Sequence, residues 1–504
     1  MTGESGPYDW TGVWAKLALT VLCYYAVILP AYYLWFHPLA RYPGPRTWAI
    51  SQLPWMVMFC SGQSHSHLLE LHNQYGRIVR VGPDELSYIV PEAWNAINGR
   101  QRDVVENPKA PWFCPPDDGH IAGASNADHA RMRYVLADAF STRAIAQQQS
   151  LISGYVDLLI RRLHEKAQDG GAAIDVGSWF NYCAFDIIGD LAFGEPFGCL
   201  QGSAMHPWIA MIFGSLRTGA VGAALRRFPV LPSILPLLVP KRLRQLGDDL
   251  KRFSAERVAK RISTGSQRPD FIEAMISGKG QMTLSRNEIV NNALVLTVAG
   301  SETTATALTG AVYLLATNPQ AMGKLEAEIC AAFVNEEAIA DLNSVARLPY
   351  LGAVTQETLR LYPPGPNAQP RITPPQGNTI LGDFIPGKAL LKTIIGIPQR
   401  AMYLSEHNFR RAKHFIPERW LGDQEFAGDR RDCLNAFSVG PRNCIGMNLA
   451  YAEFRQILAR LLWNFHVTLD EQSLGWLETQ RSYLHWDRAP LYVHLRPRQK
   501  FYEC

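Results

Sequence analysis

The chain has 504 residues, of which 47% are apolar, and a formal net charge of +4. The apolar content is sufficient for a large core, and so small a charge argues against a nucleic-acid partner. The nine cysteines are odd in number and include no Cys-x-x-Cys pair, which indicates a reducing compartment and one functional thiol rather than a disulfide framework.

The first predicted element is a membrane anchor. Leu17 to Phe36 is a run of 20 residues without a charge, roughly the 30 Å needed to cross a bilayer. Arg41 and Arg46 follow this run, and positive charges after the span orient the rest of the chain toward the cytosol. A cleaved signal peptide is the alternative, although its apolar run is usually shorter and no small-residue cleavage site follows here.

We divide the chain into a lumenal tail (residues 1–16), a transmembrane anchor (17–36), a proline-rich hinge (37–47) and one catalytic domain (48–504). Pro43 and Pro45 prevent the anchor helix from continuing into the body. Length alone would suggest about three domains. We predict a single one, because the chemically linked motifs described below extend from His129 to Cys444.

The body is predicted to be mainly α with a small β-sheet region. Short strands are expected at 78–82 and 85–90, helices at 151–166, 179–191 and 242–264, and further strands between 371 and 395. No alternating series of strands and helices is present. The proline-rich apolar segment at 228–240 either dips into the membrane interface or forms a buried connector.

The longest predicted helix covers residues 285–317 and has an unusual centre. Residues 299–304 read A-G-S-E-T-T, and glycine or threonine inside a helix costs up to about 1 kcal/mol each. Such a break in a strong helix often marks function. We predict that Gly300 lets a small ligand approach the backbone and that Glu302 and Thr303 form an acid–alcohol pair that relays protons. The alternative is a face of small residues that packs against a neighbour.

The ten residues from Phe437 to Gly446 read F-S-V-G-P-R-N-C-I-G and suit a thiolate on a haem iron. Glycines on either side of Cys444, Gly440 and Gly446, allow a sharp turn that aims amide N–H groups at the sulfur. A helix predicted after the motif would favour the negative charge. Phe437 is expected to cover the sulfur, and Arg442 to pair with a haem propionate. The alternative is a buried structural cysteine in a glycine-rich turn.

This pattern, Phe-x-x-Gly-x-Arg-x-Cys-x-Gly, resembles the haem-binding signature of the cytochrome P-450 family. The resemblance implies the cytochrome P-450 fold and haem b (iron protoporphyrin IX) with Cys444 as axial ligand. It also implies a monooxygenase that inserts one oxygen atom from O₂ into a lipophilic small molecule. The hinge is similar to that of filamentous-fungal members, which suggests a secondary-metabolite intermediate such as a mycotoxin, terpenoid or polyketide.

The resemblance also assigns residues outside the cysteine motif. Residues 299–304 match the oxygen-binding helix of the family. Arg371 matches a propionate-binding arginine, and His129 and Arg133, spaced i, i+4, match haem-anchoring positions, although many relatives have tryptophan in place of His129. Three residues match a buried structural triad: Glu357, Arg360 and Arg419.

The chain has no dinucleotide-binding fingerprint, so its electrons must come from another protein. The resemblance implies NADPH-cytochrome P-450 reductase, with cytochrome b5 as a further donor, and a single-pass location in the endoplasmic reticulum membrane. Three alternatives stay open at this point. The same site could catalyse oxidative coupling, ring expansion or desaturation; the chain could bind haem without turnover; or it could be a purely structural membrane protein.

Overall fold

A computed structural model describes residues 10–100, 104–116, 119–168, 171–228, 241–265, 268–387, 392–483 and 485–498. The predicted lumenal tail up to residue 9 and residues 229–240 of the proline-rich segment lie outside the described residues.

Helices form most of the body, and the predicted helices at 151–166, 179–191 and 242–264 are confirmed, the first two with slightly wider bounds and the third displaced by one residue. The α-helices after the hinge are Arg46–Ile50, Leu53–Ser61, Ser64–Tyr75, Ala93–Asn98, Asn126–Leu136, Thr142–Gln147, Gln149–Gln168, Val176–Phe193, Cys199–Gly202, Pro207–Leu225, Lys241–Ser263, Phe271–Ser277, Arg286–Ala316, Pro319–Ala332, Leu342–Ala346, Pro349–Leu361, Gln399–Tyr403 and Met447–Asn464. Short 3₁₀ turns lie at Ala137–Phe140, Glu337–Ala340, Pro417–Trp420, Gln424–Phe426, Arg431–Cys433 and Glu471–Ser473.

The strands form small sheets beside the helices. They are β1 (Ile78–Gly82), β2 (Glu85–Tyr88), β3 (Ile174–Asp175), β4 (Arg371–Ile372), β5 (Asn378–Ile380), β6 (Asp383–Ile385), β7 (Ile394–Gly396), β8 (Phe465–Leu469), β9 (Arg481–Ser482), β10 (Trp486–Asp487) and β11 (Tyr492–Pro497). The largest sheet has the order β1-β2-β7-β4, with β2 and β7 parallel. The order β3-β11-β8 makes a second sheet, and β5–β6 and β9–β10 are hairpins. The predicted fold class, mainly α with a small β region, is confirmed.

The helix Arg286–Ala316, hereafter the central helix, lies in the core and confirms the predicted long helix. Its first turn contains a capping box, in which Glu288 N–H donates to Ser285 Oγ (3.3 Å) and Ser285 N–H donates to Glu288 Oε2 (2.7 Å). It packs against the helices Val176–Phe193 and Met447–Asn464. The second of these follows Cys444 and is called the cysteine helix below.

The N-terminal helix, Thr11–Phe36, is long and apolar enough to cross a membrane, with a mean hydropathy of 1.8 in its most apolar window. It begins before Leu17, where the uncharged run starts, because the helix extends through Lys16. The predicted hinge is shorter than expected, since the helix Arg46–Ile50 begins inside the range 37–47. The hinge is also bound to the body: Arg80 N–H of β1 donates to the carbonyl of Pro43 (2.8 Å).

Candidate functional site

The loop that carries Cys444 is a tight turn closed by backbone hydrogen bonds. Cys444 N–H donates to the carbonyl of Phe437 (2.8 Å), and Asn443 N–H donates to that of Gly440 (3.2 Å). Gly446 is the N-cap of the cysteine helix, which begins at Met447. Cys444 therefore lies two residues before the N-cap, close to the positive end of the helix dipole, as predicted.

The two glycines of the motif have different structural roles. Gly440 has a φ of +80°, and a Cβ at this position would lie 2.0 Å from the carbonyl oxygen of Asn98. Gly446 has a φ of −85°, and its Cβ would meet nothing closer than Phe140 at 3.9 Å and Cys444 Sγ at 4.0 Å. The expectation that the glycines permit a sharp turn is therefore confirmed for Gly440. It is wrong for Gly446, whose backbone conformation any residue can adopt.

Burial keeps the pKa of the Cys444 thiol above its ordinary value in this structure, and two neighbouring groups act in the opposite direction. The Gly446 N–H, which hydrogen-bonds the sulfur, and the nearby Arg133 guanidinium both lower this pKa. The residue nevertheless keeps an exposed surface. A hydrogen-bond donor and a nearby cation are what a metal-bound thiolate requires. The ring of Phe437 packs against Tyr451 of the cysteine helix, with ring centroids 5.0 Å apart.

A group of basic side chains converges beside this loop. His129 is buried, and its pKa falls to about 4 because of burial and because of four surrounding cations: Arg442, Arg133, Lys109 and Arg371. The imidazole is therefore neutral at pH 7 and can accept or donate a hydrogen bond but adds no charge. The structure thus brings together all four of the predicted haem-anchoring basic residues. Lys109 was not predicted, since a lone lysine in a loop carries no sequence signal.

One carboxylate, that of Glu106, contacts this cationic group. It accepts hydrogen bonds from Arg442 Nε (2.7 Å) and Arg371 Nη1 (3.3 Å). Arg442 Nη2 also donates to the side chain of Asn126 (2.8 Å). Arg133, by contrast, donates to the carbonyl and side-chain oxygens of Asn443 (2.5 and 2.7 Å), which connects it to the cysteine loop.

The site fits a haem with two propionates. Glu106, His129 and Arg133 line a cavity of about 1300 Å³ that also reaches Pro441 of the cysteine loop. Buried charges are normally paired, and the excess of cations over carboxylates here calls for an anion. Among the described residues, the Nε of Arg371 is buried and has no hydrogen-bond partner. Carboxylates of a bound group would supply the missing acceptors.

Gly300, at the centre of the central helix, packs closely against a neighbouring helix. A Cβ on Gly300 would lie 2.7 Å from Ile188 Cδ1, so this glycine permits close packing against the helix Val176–Phe193. The small-face alternative is therefore correct for this contact, and the approach of a ligand to the backbone at Gly300 stays a prediction. Ala299 is exposed and Thr303 is partly exposed in the middle of a helix whose second half is mostly buried.

Glu302 and Thr303 do not form the predicted pair. Thr303 Oγ1 donates to the carbonyl of Ala299 (2.8 Å), one turn earlier. The Glu302 carboxylate is held instead by Arg488, whose Nε and Nη2 donate to its two oxygens at 3.1 Å each. The side chains diverge because adjacent helical residues point about 100° apart. Arg488 lies 186 positions away in the sequence, which is why no local pattern revealed it.

The predicted triad is brought together in the core. Arg360 Nε and Nη2 donate to the two Glu357 oxygens at 2.8 and 2.7 Å, and Arg419 Nε donates to one of them at 3.0 Å. All three side chains are fully buried. Asp429, which the sequence did not indicate, forms a second ion pair with Arg419. Two carboxylates therefore balance two guanidinium groups, as burial of charge requires.

Comparison with known proteins agrees with this geometry. The model of the family described as "Cytochrome P450" matches residues 42–492. The chain is 45% identical over 492 residues to a cytochrome P450 monooxygenase, bet2, of Neocamarosporium betae, covering 95% of this chain and 93% of the relative. It is 43% identical to an averantin hydroxylase of Dothistroma septosporum (93% and 88% covered). It is 41% identical to a trichothecene C-15 hydroxylase of Fusarium sporotrichioides (96% and 99% covered). The chain therefore belongs to the cytochrome P450 family, whose members are monooxygenases that hold haem through a cysteine thiolate.

Proposed function

We propose that this monooxygenase inserts one oxygen atom from O₂ into a bulky lipophilic intermediate of fungal secondary metabolism, with Cys444 as the iron ligand. The observation that carries the proposal is the cysteine loop: its sulfur has a backbone N–H donor and a nearby arginine, and its Pro441 lines a cavity that His129 and Arg133 also line. The relatives support the substrate class, since two of them are named for averantin and for trichothecenes. These two relatives do not identify a single substrate for this chain, because they are named for different compounds.

When bound, the haem supplies the activation of O₂, and the thiolate favours cleavage of the O–O bond. The chain's residues hold and orient that group. Arg371 and Arg442 would bind the propionates, because their planar guanidinium groups donate two hydrogen bonds to a carboxylate. The Gly446 N–H would keep the Cys444 sulfur from becoming too electron-rich.

Thr303 and Glu302 are proposed to handle protons in separate steps. The Thr303 hydroxyl uses its proton on the Ala299 carbonyl, so its lone pairs stay available to accept a hydrogen bond from a water. Glu302 lines a second cavity of about 410 Å³ together with Asn181 and Arg488. A carboxylate that belongs to the central helix and also lines this cavity is suited to pass protons inward.

Members of this family act with separate redox partners. We propose that the donor here is NADPH-cytochrome P-450 reductase, with cytochrome b5 as a further donor, and that the chain lies in the endoplasmic reticulum membrane with its body in the cytosol. The exposed side chains of Arg410 and Arg411 support a cationic docking surface, although both lie about 3.5 Å from the carboxylate of Glu425.

The test is turnover in microsomes that contain the full chain and a reductase, with candidate pathway intermediates as substrates and ¹⁸O₂ as oxidant. We expect a product that carries one labelled oxygen. An unlabelled product would indicate coupling, ring expansion or desaturation instead. Cys444→Ser should abolish turnover and the absorbance band of the reduced, CO-bound thiolate form. Cys433→Ser is the matched control, since Cys433 is buried in a neighbouring 3₁₀ turn; it should retain both.

A further inference from the structure

The carboxylate of Glu106 connects the two arginines that are expected to bind the haem propionates. Arg442 Nε (2.7 Å) and Arg371 Nη1 (3.3 Å) both donate to the same oxygen, Glu106 Oε1. Burial lowers the pKa of Arg371, the Glu106 carboxylate opposes this shift, and the Arg442 guanidinium lowers the pKa further. The two guanidinium groups therefore lie close together, and because like charges repel, the shared acceptor is what keeps them so.

The segment that carries Glu106 is fixed to the strand that carries Arg371. Ala110 N–H donates to the carbonyl of Pro370 (2.9 Å), and Lys109 lies opposite Arg371 in an antiparallel bridge. This part of the segment therefore extends the sheet beyond β4 and keeps a fixed register with it. The backbone shortly after Glu106 is held in place by bonds that do not involve the carboxylate.

The neighbouring residue, Asn107, attaches the segment a second time. It is only 2% exposed, and its Nδ2 donates to the carbonyl of Ile97 (3.0 Å). Its Oδ1 accepts a hydrogen bond from Asn378 Nδ2 (3.1 Å), and its carbonyl accepts one from Arg371 Nη1 (3.1 Å). The backbone at Glu106 is thus fixed on both sides of the chain, so the position of the carboxylate is set before it binds the arginines.

Glu106 also sets the charge of the site. It is the one carboxylate, among the described residues, in a group that contains Lys109, Arg133, Arg371 and Arg442. Two propionates still leave these cations in excess, and Glu106 reduces the excess by one. Its side chain is only 19% exposed, so solvent screens its charge incompletely. A negative charge near a haem favours the ferric state over the ferrous state, which carries one positive charge fewer.

We propose that Glu106 is a positioning residue for the haem. Its Oε1 holds the Arg371 and Arg442 guanidinium groups in place for the propionates, and its charge lowers the reduction potential of the iron. Glu106 takes one N–H from each arginine, and a guanidinium has several, so both arginines keep donors for the cofactor. The inference rests on the proposed role of these two arginines and is independent of the substrate.

The test uses the full-length, haem-loaded protein without substrate. Spectroelectrochemical titration gives the midpoint reduction potential, and transfer of haem to an excess of apomyoglobin gives the rate of haem loss. Glu106→Gln keeps an acceptor oxygen but removes the charge, so the potential should become more positive than that of the wild type. Glu106→Ala has the same charge as Glu106→Gln but no acceptor, so it should lose haem severalfold faster than Glu106→Gln.

Glu336→Gln is the matched control for the loss of charge. The Glu336 side chain is 17% exposed, and one of its oxygens accepts hydrogen bonds from Arg460 Nε (3.0 Å) and Asn464 Nδ2 (2.7 Å). Both donors lie near the end of the cysteine helix that is remote from Cys444, about 20 Å along its axis. The control should have the reduction potential and the rate of haem loss of the wild type.

A compensating substitution separates the charge of Glu106 from any structural effect. Lys109 Nζ donates to the carbonyl of Ala122 (2.7 Å) and belongs to the same group of cations. Lys109→Gln removes a positive charge and should make the reduction potential more negative. Combined with Glu106→Gln it restores the charge of the group, so the double variant should return toward the wild-type potential.

Two results would overturn the proposal in proteins whose reduced, CO-bound form shows the thiolate band. One is a wild-type potential in Glu106→Gln; if that variant does not load haem, an unchanged potential in Lys109→Gln has the same meaning. The other is equal haem loss in Glu106→Gln and Glu106→Ala, whereas an alanine variant that takes up no haem when the glutamine variant does would agree with the proposal. A wild-type protein without the thiolate band would instead refute the proposed function.

Discussion

Gly440 and Gly446 look equivalent in the sequence, yet the structure predicts opposite responses to the same substitution. In Gly440→Ala, the new Cβ would lie 2.0 Å from the backbone carbonyl oxygen of Asn98, in a residue whose φ is +80°. In Gly446→Ala, the Cβ would enter ordinary contact distance at φ −85°. The backbone N–H that donates to the Cys444 sulfur is present in both variants. Comparison of the two variants therefore separates the effect of the loop's backbone conformation from the effect of its hydrogen bond to the sulfur.

The expected cost follows from two separate terms. A left-handed conformation costs an L-residue about 1–2 kcal/mol. The overlap with the Asn98 carbonyl must be relieved by moving backbone by more than about 1 Å, and overpacking of this kind costs about 1–3 kcal/mol. Gly440→Ala should thus lower the free energy of unfolding by about 2–5 kcal/mol, a large part of the 5–15 kcal/mol typical of a folded domain. Gly446→Ala should change it by less than about 1 kcal/mol, because glycine is only moderately better than alanine at an N-cap.

The assay is a urea titration of each haem-loaded variant, followed by the absorbance band of the reduced, CO-bound thiolate form. We expect Gly446→Ala to follow the wild-type curve and Gly440→Ala to lose the band at a clearly lower urea concentration, or to be isolated largely without thiolate-ligated haem. Equal midpoints for the two variants would refute the reasoning, since the positive φ and the contact with Asn98 would then have no measurable cost.

Three further substitutions test the other parts of the site. Thr303→Ala should reduce product formation by about 10²-fold while NADPH oxidation continues, because proton delivery fails after electrons have arrived; Thr303→Ser should restore most of it, and product and NADPH are measured together. Glu357→Gln leaves the buried Arg360 guanidinium without its charge partner and should destabilise the fold by about 3–5 kcal/mol, measured as a urea midpoint; a wild-type midpoint would show that the pair carries little energy. Burial raises the pKa of Glu453 to about 8, above its value in the unfolded chain, so the contribution of this carboxyl to stability should be largest at acidic pH and fall as the pH rises toward 8. Glu453→Gln should flatten this slope in unfolding curves recorded between pH 5 and pH 8, and an unchanged slope would count against the shift.

The sequence was sufficient to predict the features that depend on residues close to one another along the chain. The capping box at Ser285 and Glu288, the strand pair predicted at 78–82 and 85–90, and the turn that carries Cys444 each depend on residues within a few positions of one another. Their spacing therefore predicted each element, although the second strand ends two residues early, at Tyr88. The resemblance to a known family added the long-range triad of Glu357, Arg360 and Arg419, whose members local patterns alone could not connect.

The sequence was insufficient where two distant segments decide the role of a residue. Glu302 was predicted to act with its neighbour Thr303, but its partner is Arg488, which the fold supplies from the strand β10 region. Gly300 was predicted either to admit a ligand or to pack against a neighbour, and the fold supplies that neighbour, Ile188 of another helix. A pattern of small or charged residues shows that a position is special. The neighbour that determines the role of such a position depends on how the helices pack, and helix packing is a property of the whole chain.

Charge balance then distinguishes structural from functional clusters of buried ions in this molecule. In the triad region, two arginines meet two carboxylates, so the cluster satisfies itself and its role is to hold the core together. Beside the cysteine loop, among the described residues, one carboxylate, Glu106, lies in a group with four cations: it pairs with Arg371 and Arg442, whereas Lys109 and Arg133 donate to oxygens of Ala122 and Asn443. A folded protein tolerates such an excess next to a large cavity only if a ligand brings the missing negative charge. The two propionates of a haem do so, which is why the same residue types, arginine and glutamate, stabilise the fold in one place and bind the cofactor in the other.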